Sequence, residues 1–415
     1  MKYSKLDVIG INSKILFISN EKQPSLFKQL CIFFGQLFYY TFIIHFKYKP
    51  IPSRYKGILF FGVTLNNQRS LNPIIEQLDD EEYIYMKSHN KDVNKRRALW
   101  LSLPYLHSLL KTYRRADLKT KKLIKKYFTR LWITYGYFQL AKEYLQHYQV
   151  KVMVVSSDQG EFHRCFLLNA KKMGVKTIYV QHASVAKGFP RLIASHSFLD
   201  GQESLDKYLF TGQPDGEVHL WGGVRFDPVF QQYKPKYIES VKVIGIAINM
   251  LDNIEKVKSI CEMLLKQGYQ LIMRPHPRYG ALNTNWLSDK GIGFSDPKTE
   301  TSFDFIDKID LMISNESSIH LDAAMMRCPT IVFNFSNSPV RDVYSYIKTG
   351  LTTLVATETQ LFELLNNPKA LLPSIETLQY YNASTGTPLE GSLGKAIANY
   401  IYQILSGEAP SFENP

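Results

Sequence analysis

Two short stretches combine residue types that handle phosphate. "RPHP", residues 274–277, follows the apolar run "YQLIM", so an arginine and an imidazole stand where a buried strand ends. Guanidinium makes bidentate, charge-assisted bonds to phosphate oxygens, and the flanking prolines fix the turn that aims Arg274 and His276. About forty residues later "IDLMIS" runs into "NESSIHLDAAMMR". There Asn315 and Glu316 close the strand, and Ser317 and Ser318 open a helix. Serines at a helix start cap free N–H groups, and that end of a helix attracts anions. Asp322 falls four residues after Ser318, on the same helix face, where a carboxylate can accept from ribose hydroxyls. The expected donor-binding set is therefore Arg274, His276, Pro277, Asn315, Glu316, Ser317, Ser318 and Asp322.

A weaker set lies near the start of the chain. "GVTLNNQRSLNP" (62–73) leaves a strand and opens a helix, which would aim Asn67, Gln68 and Arg69 at an acceptor; a plain polar turn explains them nearly as well. No G-x-G-x-x-G or P-loop is present. No D-x-D occurs either, so the sequence predicts no metal in the reaction and assigns leaving-group charge to Arg274, His276 and a helix dipole.

Strands must position these groups. "GILFFGV" (57–63), "KVMVVSS" (151–157) and "KTIYVQH" (176–182) read as buried strands, as do "VKVIGIAI" (241–248), "YQLIMR" (269–274), "IDLMIS" (309–314) and "PTIVFNF" (329–335). Helical patterns such as 253–266 and 317–327 alternate with them. That alternation predicts an α/β fold with parallel, doubly wound sheets in two Rossmann-like domains, whose ligand crevices would face a shared central cleft. The expected boundaries are an acceptor-side domain at 1–224, a polar linker at 225–240, a nucleotide-binding domain at 241–387, and a C-terminal helix and tail at 388–415 crossing back to the first domain.

Composition sets the outer limits. The chain has 415 residues, 45% hydrophobic and 21% charged, enough for a large core. Its four cysteines are scattered, which suggests neither a zinc knuckle nor a disulfide framework. No cleavable signal peptide is read at the start, so the expectation is cytoplasmic. A net charge of +13 calls for an anionic partner. Residues 27–49 hold no acidic residue but too many polar ones for a good membrane span, and read as a buried or interfacial helix. Residues 111–130 carry nine Lys or Arg against one Asp, the pattern of contact with an anionic surface.

"RPHP" and "SNESSIHLDAA", with "CPTIVFNF", resemble the HP and S motifs of bacterial surface-polysaccharide transferases, and "DKYLFTGQPDGEVHLWGGVRFDP" (206–228) is similar to their segment leading from the first domain into the second. These include CDP-glycerol glycerophosphotransferases and capsule Kdo- and sialyltransferases. The resemblance spans roughly residues 150–350 and implies a GT-B fold and a donor held mainly in the second domain, often a cytidine nucleotide; no cofactor beyond that donor is expected. It also implies a histidine after a first-domain strand, matched here by His182 in "YVQHASVAKG", although Ala183 stands where the family has glycine. A histidine poised near neutrality can take a proton from an acceptor hydroxyl. Asp158, in "SSDQGEFHR", is the rival base or the group that orients His182.

The expected function is transfer of a sugar or polyol phosphate from a nucleotide-activated, CMP- or CDP-linked donor to a growing surface glycan or lipid-linked acceptor. It would take place at the anionic inner face of the plasma membrane. A sugar-nucleotide epimerase of the same fold is the alternative. A basic nucleic-acid-binding protein ranks below both, since no recognition module is present.

Overall fold

The computed structural model describes residues 24–43, 57–79, 83–87, 92–158, 160–185, 189–236, 238–277 and 285–408. Its contacts divide the chain into two units, 1–225 with 392–415, and 226–391.

The first unit is built on six parallel strands: β1 (Ile58–Phe61), β2 (Tyr83–Met86), β3 (Val152–Val155), β4 (Lys176–Val180), β5 (His196–Leu199) and β6 (Glu217–Leu220). Their order is β2-β1-β3-β4-β5-β6, so chain direction across the sheet reverses between β1 and β3. β1 ("ILFF") and β3 ("VMVV") are buried at every position, as strands covered on both faces must be. The helix Phe128–His147 is buried on nearly all sides and joins Glu161–Lys172 in a core of Trp132, Tyr144, Phe162 and Phe166. The C-terminal helix Leu393–Ser406 belongs to this unit and lies against helix Leu65–Ile75. Gly394 makes that approach possible, because a Cβ there would stand 2.4 Å from the Pro73 carbonyl oxygen.

The second unit carries β7 (Val243–Ile248), β8 (Gln270–Pro275), β9 (Gly293–Phe294), β10 (Leu311–Ser314), β11 (Thr330–Phe333) and β12 (Thr353–Val355). All pairs are parallel. The order β12-β11-β10-β7-β8-β9 is the dinucleotide-fold order, with its switch point between β7 and β10. Residues 225–240, expected as a linker, instead contain the helix Asp227–Gln232, whose Val229 is buried in this unit's core.

The α/β class and both parallel sheets are those expected. Strands β2, β5, β6, β9 and β12 do not stand out in the sequence; they are two to four residues long, and several begin with a polar residue.

The apolar stretch near the start forms the helix Leu26–Phe38 and a π-turn, Tyr39–Ile43; residues 44–49 lie outside the described residues. It is not a core helix. Phe27, Phe34, Phe38, Phe42 and Ile43 are each more than half exposed, and the span Leu26–Ile43 is apolar and long enough to cross a membrane by composition. Its buried polar residue is explained: the Gln29 amide donates to the carbonyls of Lys125 and Lys126 at 3.2 and 3.0 Å. That bond fastens the apolar helix to the basic helix Leu118–Lys126.

Candidate functional site

In the second unit a cavity of about 570 Å³ opens at the carboxyl ends of β7, β8, β10 and β11, the size range of small-molecule sites. It sits at the switch point. Asn249 and Asp252 follow β7, His276 follows β8, Asn315 and Glu316 follow β10, and the loop 336–344 follows β11.

Hydrogen bonds stitch the two central loops together. Asp252 accepts from Asn315 Nδ2 at 2.8 Å and from the Asn249 amide at 2.7 Å, while Asn249 Nδ2 donates to the Glu316 carbonyl at 3.1 Å. The Glu316 carboxylate accepts from the backbone amides of Arg341, at 3.1 Å, and Val343, which pins the loop over the cavity. Beneath Asn315, the buried His320 donates from Nε2 to the Asn315 carbonyl at 2.9 Å, leaving Nδ1 to accept from Thr330. Burial holds the His320 imidazole down at about 4, so it is a neutral brace.

Of the expected donor set, the structure brings His276, Asn315 and Glu316 to the cavity wall. Arg274 does not line the cavity. Its guanidinium is buried and turned into the unit, donating to Ser295 Oγ at 2.7 Å and to the Glu300 carbonyl at 2.9 Å, over the Phe305 ring. A buried guanidinium must have such partners, and the loop after β9 supplies both. Among the described residues, the arginine that lines the cavity is Arg341, exposed on the β11 loop.

Asp322 does not line the cavity either; its carboxylate accepts from Ser302 Oγ at 2.9 Å on the neighbouring helix. Ser317 and Ser318 do not line the cavity. Ser317 Oγ accepts from the Ile319 amide at 3.5 Å, Ser318 makes no capping bond, and the helix they open has seven residues. Pro277 is exposed, and residues 278–280 of the motif lie outside the described residues.

In the first unit the polar groups again gather at carboxyl ends of strands. Asp158 follows β3, is fully buried, and has no hydrogen-bond partner on either carboxylate oxygen. Its charged neighbour is Arg164, 3.9 Å away. Burial outweighs that guanidinium and pushes the carboxyl up to about 6.

His182 follows β4 and is partly exposed, with a hydrogen bond to the Ser156 backbone and none at Nδ1. It is not poised near neutrality: burial, then the charge of Arg225, hold it down at about 4. No hydrogen bond joins it to Asp158, so the orienting role for Asp158 is not found. Asp200, after β5, forms a buried ion pair with Arg225 at 2.6 Å. Sequence reasoning missed this pair because β5 and β6 carry no clear strand signal.

Asn67 is buried in a capping box with Thr64, and its amide donates to the Ser156 carbonyl at 3.4 Å, across the β1–β3 switch point. Gln68 donates to the Lys87 carbonyl at 3.4 Å, and Arg69 is exposed.

No protein-family model matches the sequence, and no curated protein matches it. Solved structures do. The chain is similar to a UDP-N-acetylglucosamine 2-epimerase, at 12% identity and a TM-score of 0.51, covering 88% of this chain and 99% of that one. For a second, designated putative, from Listeria monocytogenes, the identity is 13% and the TM-score 0.50, over 85% and 97%. The wall teichoic acid polymerase TagF gives 11% and 0.48, over 92% and 98%, too distant to add weight. At such identities the likeness establishes architecture: two Rossmann-like units of the GT-B class.

Proposed function

We propose that the protein is a transferase that binds a nucleotide-activated donor in the second unit and moves its sugar or polyol phosphate to a bacterial surface glycan. The observation that carries this reading is the convergence of His276, Asn315, Glu316 and Arg341 on one cavity at the switch point of a dinucleotide-type sheet. Such crevices bind nucleotides, and His276 with Arg341 supplies the donor groups that a diphosphate or monophosphate ester needs. The resemblance of the 274–277 and 314–324 motifs to cytidine-nucleotide transferases favours CMP or CDP.

In the first unit, His182 and Asp158 divide the proton chemistry. The acceptor hydroxyl loses its proton as its oxygen attacks the donor, and the bond to the leaving nucleotide breaks. Neutral His182 is in its proton-accepting form throughout the physiological range, and Asp158, at about 6, lies nearest the operating pH of a general base.

The exposed aromatic face of Leu26–Ile43, fastened to the Lys-rich helix, supports work at an anionic membrane surface. Two such signals together make a stable peripheral anchor.

The likeness to two epimerases supports a second reading, in which the nucleotide sugar is the only carbohydrate substrate. Product analysis with candidate donors, with and without a glycan acceptor, separates the two. Glycan extension that needs acceptor supports transfer; an epimerised nucleotide sugar formed without acceptor refutes it.

A further inference from the structure

We propose that the amino-terminal edge of β5 and β6 carries a site for a borderline divalent cation of the zinc class, formed by His196, Glu217 and His219 with Tyr400 beside them. Glu217 and His219 are two residues apart on β6, so their side chains leave the same face of the sheet. His196 opens β5 directly opposite Glu217 in the parallel register.

The resulting geometry is compact. His196 Nδ1 lies 3.6 Å and His219 Nε2 3.8 Å from Glu217 Oε2. One ligand atom from each of the three falls within 4.8 Å of the others. Ligand atoms around a tetrahedral zinc ion stand about 3.4 Å apart; the two Glu217 separations are already close to that, and a small inward shift of the two imidazoles toward each other completes the set.

The C-terminal helix presents the remaining oxygen. Tyr400 Oη lies 2.8 Å from His196 Nδ1 and 3.2 Å from His219 Nε2, the same two nitrogens. On binding, the cation replaces the proton that the phenol shares with the imidazoles. If Tyr400 ligates, that proton leaves to solvent; if it swings aside, water takes the fourth position. Phe198 stacks on His219 with ring centroids 4.8 Å apart, which holds the imidazole plane for a ligand.

Two imidazoles and one carboxylate suit zinc and exclude magnesium and calcium, which need all-oxygen shells. His196 and Glu217 open their strands and His219 stands two residues further along β6, whereas Asp200 and His182 follow their strands, so the site stands apart from the proposed chemistry and would clamp the C-terminal helix to the edge strand.

The test uses the full chain with Cys31→Ser, which removes the exposed thiol as a competing ligand. Chelator-dialysed protein is titrated with zinc chloride by calorimetry, and its melting temperature is read with zinc and with magnesium. One equivalent of zinc should bind and raise the melting temperature, with no response to magnesium. His196→Ala/His219→Ala should abolish binding. Glu217→Ala, at an exposed position that leaves folding intact, should weaken it at least about tenfold, since even outer-shell partners are worth that much. Absence of saturable zinc binding, or binding unchanged by Glu217→Ala, overturns the proposal.

Discussion

Replacing Asp158 with asparagine should stabilise the protein at neutral pH while lowering turnover. The carboxyl is fully buried and held at about 6, against an ordinary 3.8. The folded state therefore binds its proton more tightly than the unfolded chain does. Stability contributed by this group is complete below the unfolded value and is lost as pH rises toward the folded one. A tenfold change in proton affinity is worth about 1.4 kcal/mol. Holding the carboxyl this far above its ordinary value thus costs about 3 kcal/mol near pH 7.5 and about 1 kcal/mol near pH 4.5. Asparagine does not titrate, so the advantage of Asp158→Asn should grow by about 2 kcal/mol between those two pH values. Thermal unfolding of both proteins at several pH values measures the difference, with circular dichroism confirming equal folds. A variant whose relative stability is flat with pH, or falls as pH rises, refutes the claim that this carboxyl is held up by burial. The same series bears on mechanism. If Asp158 is the base, kcat should rise with pH around a midpoint near 6; a midpoint near 4 assigns the proton to His182.

Other outcomes follow from the same geometry. The His182 ring should titrate near 4 by NMR and move upward when the Asp200–Arg225 pair is replaced together by asparagine and glutamine, because Arg225 helps to hold it down. Gly394→Ala should lower the melting temperature measurably, since the new Cβ would meet the Pro73 backbone at 2.4 Å. Vesicle flotation should show binding to anionic but not neutral lipid, weakened by salt and by replacing Lys121, Lys122, Lys125 and Lys126 with glutamine. Loss of that preference in the wild-type protein at low salt would remove the membrane from the account.

Much of this arrangement was legible in the sequence because continuous apolar runs announce buried strands, and α/β sheets bind at the carboxyl ends. That rule sufficed to bring His276, Asn315 and Glu316 together from three distant stretches. It could not say where a long side chain turns. Arg274 follows Ser295 and Glu300, which only the pairing of β8 with the two-residue strand β9 brings near. Arg341 lies in a loop without periodicity and is held at the cavity by its backbone amide, which donates to the Glu316 carboxylate. Asp200 and Arg225 follow strands too polar to be recognised before the sheet was seen.

The central claim is that the β7–β10 switch point holds a nucleotide donor. The most direct measurement is the melting temperature of the wild-type, His276→Ala, Arg341→Ala and His182→Ala proteins with CMP, CDP, UDP, GDP and ADP. A ligand at about one hundred times its Kd adds about 2.7 kcal/mol to the native state. The account predicts that CMP or CDP stabilises the wild-type protein most, that His276→Ala and Arg341→Ala lose the gain, and that His182→Ala keeps it. Stabilisation that survives both cavity substitutions, or the absence of any nucleotide response in the folded wild-type protein, would contradict it.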